Sequence, residues 1–207
     1  MFDKLLNMED KRREDILNAA MKEFASKGFD DASTNIIAKE AGISKSLMFH
    51  YVNNKKDFFF FLYDYCMKII REEYFDLVDC NEKDIFERLR QTYLLKVKVM
   101  KKHYWIFDFI KVAVYTDSDA VKKELDEKRK QTEISSFQNF YGNIDASKFK
   151  DGLDIEKCKQ LIYWSVGGFA NHVLEEMKNE EISEEDYKKI GRDFDSYLNE
   201  LKKAFYK

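Results

Sequence analysis

The eight residues from Ser44 to Tyr51 carry the clearest chemical potential in the chain. Wound as a helix, they put Lys45, Ser46, Leu47 and His50 on one side, with Met48 and the following Val52 on the other. A lysine so placed can donate to guanine O6 or N7, and a leucine can touch a thymine methyl. The pattern therefore suits base edges in a DNA major groove about 12 Å wide. Ser33, Thr34, Tyr51 and Lys55 surround this segment with hydroxyl and ammonium groups of the kind that hold phosphates. Lys55 stands near the start of a further predicted helix, where free backbone N–H groups also favour an anion. The chain carries a formal charge of −3, but between Ser33 and Lys56 four lysines face only Glu40, a local +3.

Other chemistry has little support. Catalysis needs a converging acid, base or nucleophile, and the chain contains no GxSxG, P-loop, HExxH or glycine-rich dinucleotide turn. Its three histidines are not in metal-ligand spacing, and Cys66, Cys80 and Cys158 form no CxxC pair. The expectation is a non-enzyme without cofactor or metal, its thiols reduced. A helical protein-interaction module without DNA binding is the alternative from a different class.

These residues need a rigid helical frame. Proline is absent and only seven glycines occur in 207 residues, so the breaks that sheets require are scarce and an all-α fold is predicted. From Lys11 to Lys27, Ile16, Leu17, Ala20, Met21 and Phe24 recur at helical spacing, with Gly28 as a stop. Ser33 is placed to cap a second helix from Thr34 to about Ala41, with Ile37, Ala38 and Ala41 inward. Gly42 can take the positive φ of a sharp turn, Ile43 can anchor it, and Ser44 can cap the third helix.

The segment Ile37-Ala38-Lys39-Glu40-Ala41-Gly42-Ile43-Ser44-Lys45-Ser46-Leu47-Met48-Phe49-His50-Tyr51-Val52, followed by Asn53-Asn54-Lys55-Lys56-Asp57-Phe58, resembles the tetracycline-repressor (TetR/AcrR) family. That family's usual form is IA-x-x-AGVS-K-x-x-LY-x-YF-x-x-K-x-x-L. Phe49 replaces the usual tyrosine and lacks the hydroxyl that often reaches a phosphate in relatives. Val52 replaces phenylalanine, and Leu47 stands where a small or hydroxylated residue is frequent. The likeness runs from about Lys11 to Leu62. It implies a helix-turn-helix DNA-binding domain at 8–54 and a larger helical ligand-binding and dimerisation domain at 55–207. The DNA-binding residues it implies are Ser33, Thr34, Ser44, Lys45, Ser46, Leu47, Phe49, His50, Tyr51 and Lys55. The implied function is a cytoplasmic transcriptional repressor, read onto a pseudo-palindromic double-stranded DNA operator and released by a small molecule.

Beyond the motif, helices are predicted at Lys55–Val78, Asp84–Met100, His103–Tyr115 and Ser118 to about Tyr141, with Ser118 and Asp119 as caps and a loop at Gly142–Asp154. Phe58 to Leu62 is too continuously apolar for a one-sided stripe. The run from Gln160 to Leu174 falls short of the 18 or more residues that span a bilayer, so no membrane association is expected. Tyr187, Ile190, Phe194, Leu198, Leu201 and Phe205 form a single stripe, whereas Leu161 to Leu174 is apolar nearly all round with Ser165, Gly167, Gly168 and Ala170 permitting close approach. In the family such a pair makes a two-fold interface, so helices 155–177 and 185–205 are expected to form a homodimer. The aromatic surplus suggests an apolar or aromatic effector, with Met100, Tyr104, Phe107, Phe137, Tyr141 and Trp164 as candidate pocket residues.

Overall fold

The computed structural model describes residues 2–133, 141–176 and 183–207, and the chain packs as two compact units, Met1–Leu77 with Leu95–Ser135 and Val78–Leu94 with Ser136–Lys207. The fold is all-helical, with no strand among the described residues.

The first unit opens with a short helix, α1 (Asp3–Leu6), tied down by the fully buried Leu5 and by Phe2, whose ring stacks on Phe61 at 4.2 Å. Helix α2 (Asp10–Asp31) buries the predicted stripe Ile16, Leu17, Ala20, Met21 and Phe24. Gly28 was expected to stop it. Its φ of 71° instead kinks the helix, which resumes to Asp31. Helix α3 (Thr34–Glu40) follows. Ser33 occupies its N-cap position without a side-chain cap bond, and its backbone N–H donates to the buried Glu23 carboxylate at 2.9 Å. The expected serine cap is thus replaced by a carboxylate from α2.

The turn after α3 follows from Gly42, at φ 66°. Its N–H donates to the Lys39 carbonyl and the Ile43 N–H to the Ala38 carbonyl at 2.9 Å, the paired closure of a Schellman motif, with Ile43 buried beside it. Helix α4 (Lys45–Tyr51) then starts on Ser44, whose Oγ accepts from the Leu47 N–H at 3.1 Å. Helix α5 (Lys55–Glu73) is capped by Asn54, which accepts from the Asp57 N–H and donates to the Asp57 carboxylate.

Phe59 of α5 meets Phe24 and Phe29 of α2 and Phe109 of α7 (Ile106–Val114), at centroid distances of 5.0, 5.2 and 5.3 Å. The apolar run thus serves two neighbouring helices. Helix α5 ends five residues earlier than predicted, its chain tightening into a 3₁₀ turn at Phe75–Leu77. The predicted 103–115 helix is the shorter α7. The helix predicted from Ser118 to Tyr141 is α8 (Lys122–Glu133), and 134–140 lie outside the described residues. Ser118 does not cap it by its side chain; the hydroxyl donates to Asp30 at 2.8 Å. Lys128 and Lys56 join α8 to α5 through Asp64 and Glu124.

Helix α6 (Ile85–Lys102) contributes its residues to Leu94 to the second unit and the rest to the first. In the second unit α9 (Ile155–Glu176) and α10 (Glu184–Phe205) pack around Phe86, Ile162, Phe194 and Leu198. A reciprocal Ser183–Asp186 capping box starts α10. The predicted loop 142–154 is pinned to the chain's last residues, since the Lys150 N–H donates to the Phe205 carbonyl and the Lys207 N–H to Lys148. Fully buried Arg88 secures the same loop through the Asn143 side chain at 2.7 Å. No described helix is long and apolar enough to cross a membrane.

Candidate nucleic-acid interface

Helix α4 is two-faced, as its sequence requires. Met48 and Val52 are buried, whereas Ser44, Lys45, Ser46, Phe49 and His50 are exposed. Leu47 and Tyr51 are half-buried and rest on the core. Leu47 therefore offers only part of its side chain to an incoming base. Phe49 is 44% exposed and presents an apolar ring at the position where the family usually has tyrosine. Tyr51 meets His50 edge-on at 5.6 Å.

Lys55 is placed differently from a simple surface cation. Its ammonium donates to the carbonyls of Asp30 at 2.8 Å and Ala32 at 3.2 Å and lies 4.8 Å from the Phe29 ring centroid. It satisfies carbonyls at the end of α2 and leaves one of its three donors uncommitted. Its contact with Ala32 also brings it beside Ser33 and Thr34, so three of the expected phosphate-binding residues share one corner. At the start of α5, the carboxylate of Asp57 already fills the anion-favouring position.

Two contributors escaped the sequence reading. Lys4 of α1 donates to His50 Nε2 at 3.4 Å, adding a cation beside the exposed face of α4. The apolar spacing of Phe2, Leu5 and Leu6 was the signal that these residues dock instead of trailing as a tail. Glu23 is the other, a buried carboxylate that fixes the start of α3.

Five of the six candidate effector residues are described, three in the first unit and two in the second. Met100 is buried and Tyr104 and Phe107 are half-buried in the first unit, whereas Tyr141 and Trp164 belong to the second. Tyr141 is buried against Tyr163, Trp164 is 63% exposed, and Phe137 lies outside the described residues. A surface groove of about 240 Å3 in the second unit is lined by Phe86, Glu87, Arg90, Asp195, Leu198, Asn199 and Lys202 and includes none of the six. The described residues bring together no group of three His, Cys, Asp or Glu able to hold a metal.

Residues 16–60 match the family model described as bacterial regulatory proteins, tetR family. The chain is similar to the fatty acid metabolism regulator protein of Bacillus subtilis, 23% identical over 157 residues that cover 73% of this chain and 77% of the relative. A TetR family transcriptional regulator from Chloroflexus aurantiacus shares its fold with a TM-score of 0.69 at 17% identity, over 99% of this chain and 98% of the other. The regulator FadR from Bacillus subtilis, solved in complex with stearoyl-CoA, has a TM-score of 0.53 at 18% identity, over 90% and 96% of the two chains. The helix-turn-helix segment at residues 16–60 therefore matches the tetR family of bacterial regulatory proteins, and the chain shares its fold with a TetR family regulator along its length.

Proposed function

We propose that this regulator is a cytoplasmic repressor that binds a pseudo-palindromic DNA duplex as a homodimer and releases it on binding an apolar small molecule, of long-chain acyl type. The observation that carries the DNA reading is the two-faced α4, whose Lys45, Ser46, Phe49 and His50 are exposed while Met48 and Val52 seal the core behind them. In this reading residues 8–54 grip DNA and 55–207 sense the effector and dimerise. Ser33, Thr34, Lys55 and Lys4 hold phosphates, and Lys45 donates to a base edge. The similarity to a fatty acid regulator and to a stearoyl-CoA-bound neighbour supports the acyl class of effector.

The test is selection of operator duplexes by the full chain from a random pool, followed by affinity measurements across a salt series. Lys45→Ala is expected to erode discrimination by about 1 to 3 kcal/mol. Lys4→Ala should weaken all duplexes alike and lower the slope of log affinity against log salt by roughly one. Lys55→Ala should do the same and also destabilise the fold by about 1 to 3 kcal/mol, because two carbonyls lose a charged donor. A chain that selects no duplex at low salt would overturn the DNA reading.

A further inference from the structure

Lys96 lies on the face of α6 that also carries Val99 and Met100, three and four residues on, and His103 follows directly after the end of the helix, seven residues from Lys96. Val99 and Met100 are buried, so this face looks into the first unit. The Lys96 ammonium stands 5.0 Å from the ring centroid of Phe107, which meets Tyr74 edge-on at 6.3 Å. It makes no hydrogen bond or ion pair among the described residues. Desolvation by burial lowers its pKa; the negative charge of Asp108 opposes that shift and Lys111 adds to it. Just beyond the end of α6, His103 Nε2 is buried without a hydrogen-bond partner, with a carboxylate oxygen of Glu73 at 3.8 Å.

Lys96 is half-buried, and an ammonium partly withdrawn from water loses hydration that an aromatic face restores only in part. Methionine would fill the same space without that penalty, so the retained charge requires a use. An arriving anion supplies one. It would pair with the ammonium in a setting where the charge-assisted bond is strong, while the apolar surroundings, Met100, Phe107 and Tyr74, favour a hydrocarbon attached to it. We propose that Lys96 receives the anionic head of an amphiphilic effector, an acyl carboxylate or the phosphates of its coenzyme thioester. This rests on the acyl-effector reading above and adds to it the group that distinguishes charged from neutral amphiphiles.

The test is titration of the purified full chain with myristate, myristoyl-CoA and 1-tetradecanol by calorimetry, alongside its unliganded melting temperature. The wild type should bind at least one of the two anions about tenfold or more tighter than the alcohol, and which one identifies the head. Lys96→Met should abolish that preference, leave alcohol binding within about threefold, and raise the unliganded melting temperature by about 2 to 4 °C. Lys96→Gln provides the same comparison if the methionine variant fails to accumulate, and Lys96→Arg should keep the preference. A neutral variant that still prefers the anion, or a wild type that binds the alcohol as tightly as both anions, overturns the role of Lys96 and leaves the acyl reading standing. A wild type that binds none of the three overturns both.

Discussion

Replacing Phe59 with alanine is expected to lower folding stability by about 3 to 5 kcal/mol, a large share of the roughly 5 to 15 kcal/mol that holds a domain together. Phe59 is fully buried and its ring is met by Phe24, Phe29 and Phe109, so truncation opens a cavity bounded by α2, α5 and α7. Those rings cannot collapse into the space without moving helices, so both the transfer and the cavity contributions are lost. Phe60, the next residue, is half-buried and meets Phe59 and the Lys56 ammonium; its truncation should cost less than half as much. Urea unfolding followed by circular dichroism separates the two. Equal losses would show that the aromatic cluster does not hold the first unit together. Because α2 also carries Glu23, the carboxylate that sets the start of α3, the Phe59 variant should lose DNA binding as its fold loosens.

Local pattern made much of this region legible. Gly42, Ile43 and Ser44 perform the turn and cap their types suggest, because a Schellman closure and a serine cap need only residues within five positions of one another. The inward and outward sides of α4 were legible for the same reason. Lys55 shows where the reading stops. Its partners are carbonyls 23 and 25 residues away, and no periodicity reveals that a lysine suited to phosphate will also close the end of an earlier helix. The end of α5 at Glu73 was hidden because apolar spacing continues through Tyr74 and Leu77, and a 3₁₀ turn preserves enough of it to look helical.

The effector residues rest on a different kind of signal. Aromatic abundance counts rings without saying which share a neighbourhood, and the candidates divide between units. A charged residue on an apolar helix face carries more local information. Lys96 lies seven residues before His103 with Val99 and Met100 between them, a lysine on an otherwise inward stripe that the count of aromatic rings passed over.

Trp164→Glu is expected to convert the regulator to a monomer at micromolar concentration and to lower operator affinity by about 100-fold or more. The sequence of α9 is apolar nearly all round, yet within one chain only part of it is covered: Cys158 and Ile162 are buried and Val166 and Phe169 half-buried. Leu161, Tyr163 and Trp164 remain 47%, 48% and 63% exposed. Leu161, Trp164 and Gly168 follow at steps of three and four, and a Cβ added at Gly167 or Gly168 would meet nothing within 4 Å, so the strip is flat enough for another helix to approach closely. A two-fold axis would bury each side chain twice, once from each copy, so a single substitution is felt at two places. An interfacial tryptophan costs about 2 kcal/mol or more when truncated, and two facing carboxylates in place of two indoles add repulsion in a desolvated site. A dimer that binds two half-sites gains from the second contact as an intramolecular event, and the monomer forfeits that gain. Sedimentation and operator titration on the same preparation decide the matter, with Tyr115→Glu, at a residue 76% exposed in the first unit, as the control that should leave both unchanged. A Trp164→Glu chain that still sediments as a dimer would remove α9 from the interface, and one that is monomeric yet binds the operator undiminished would break the link between dimerisation and DNA affinity.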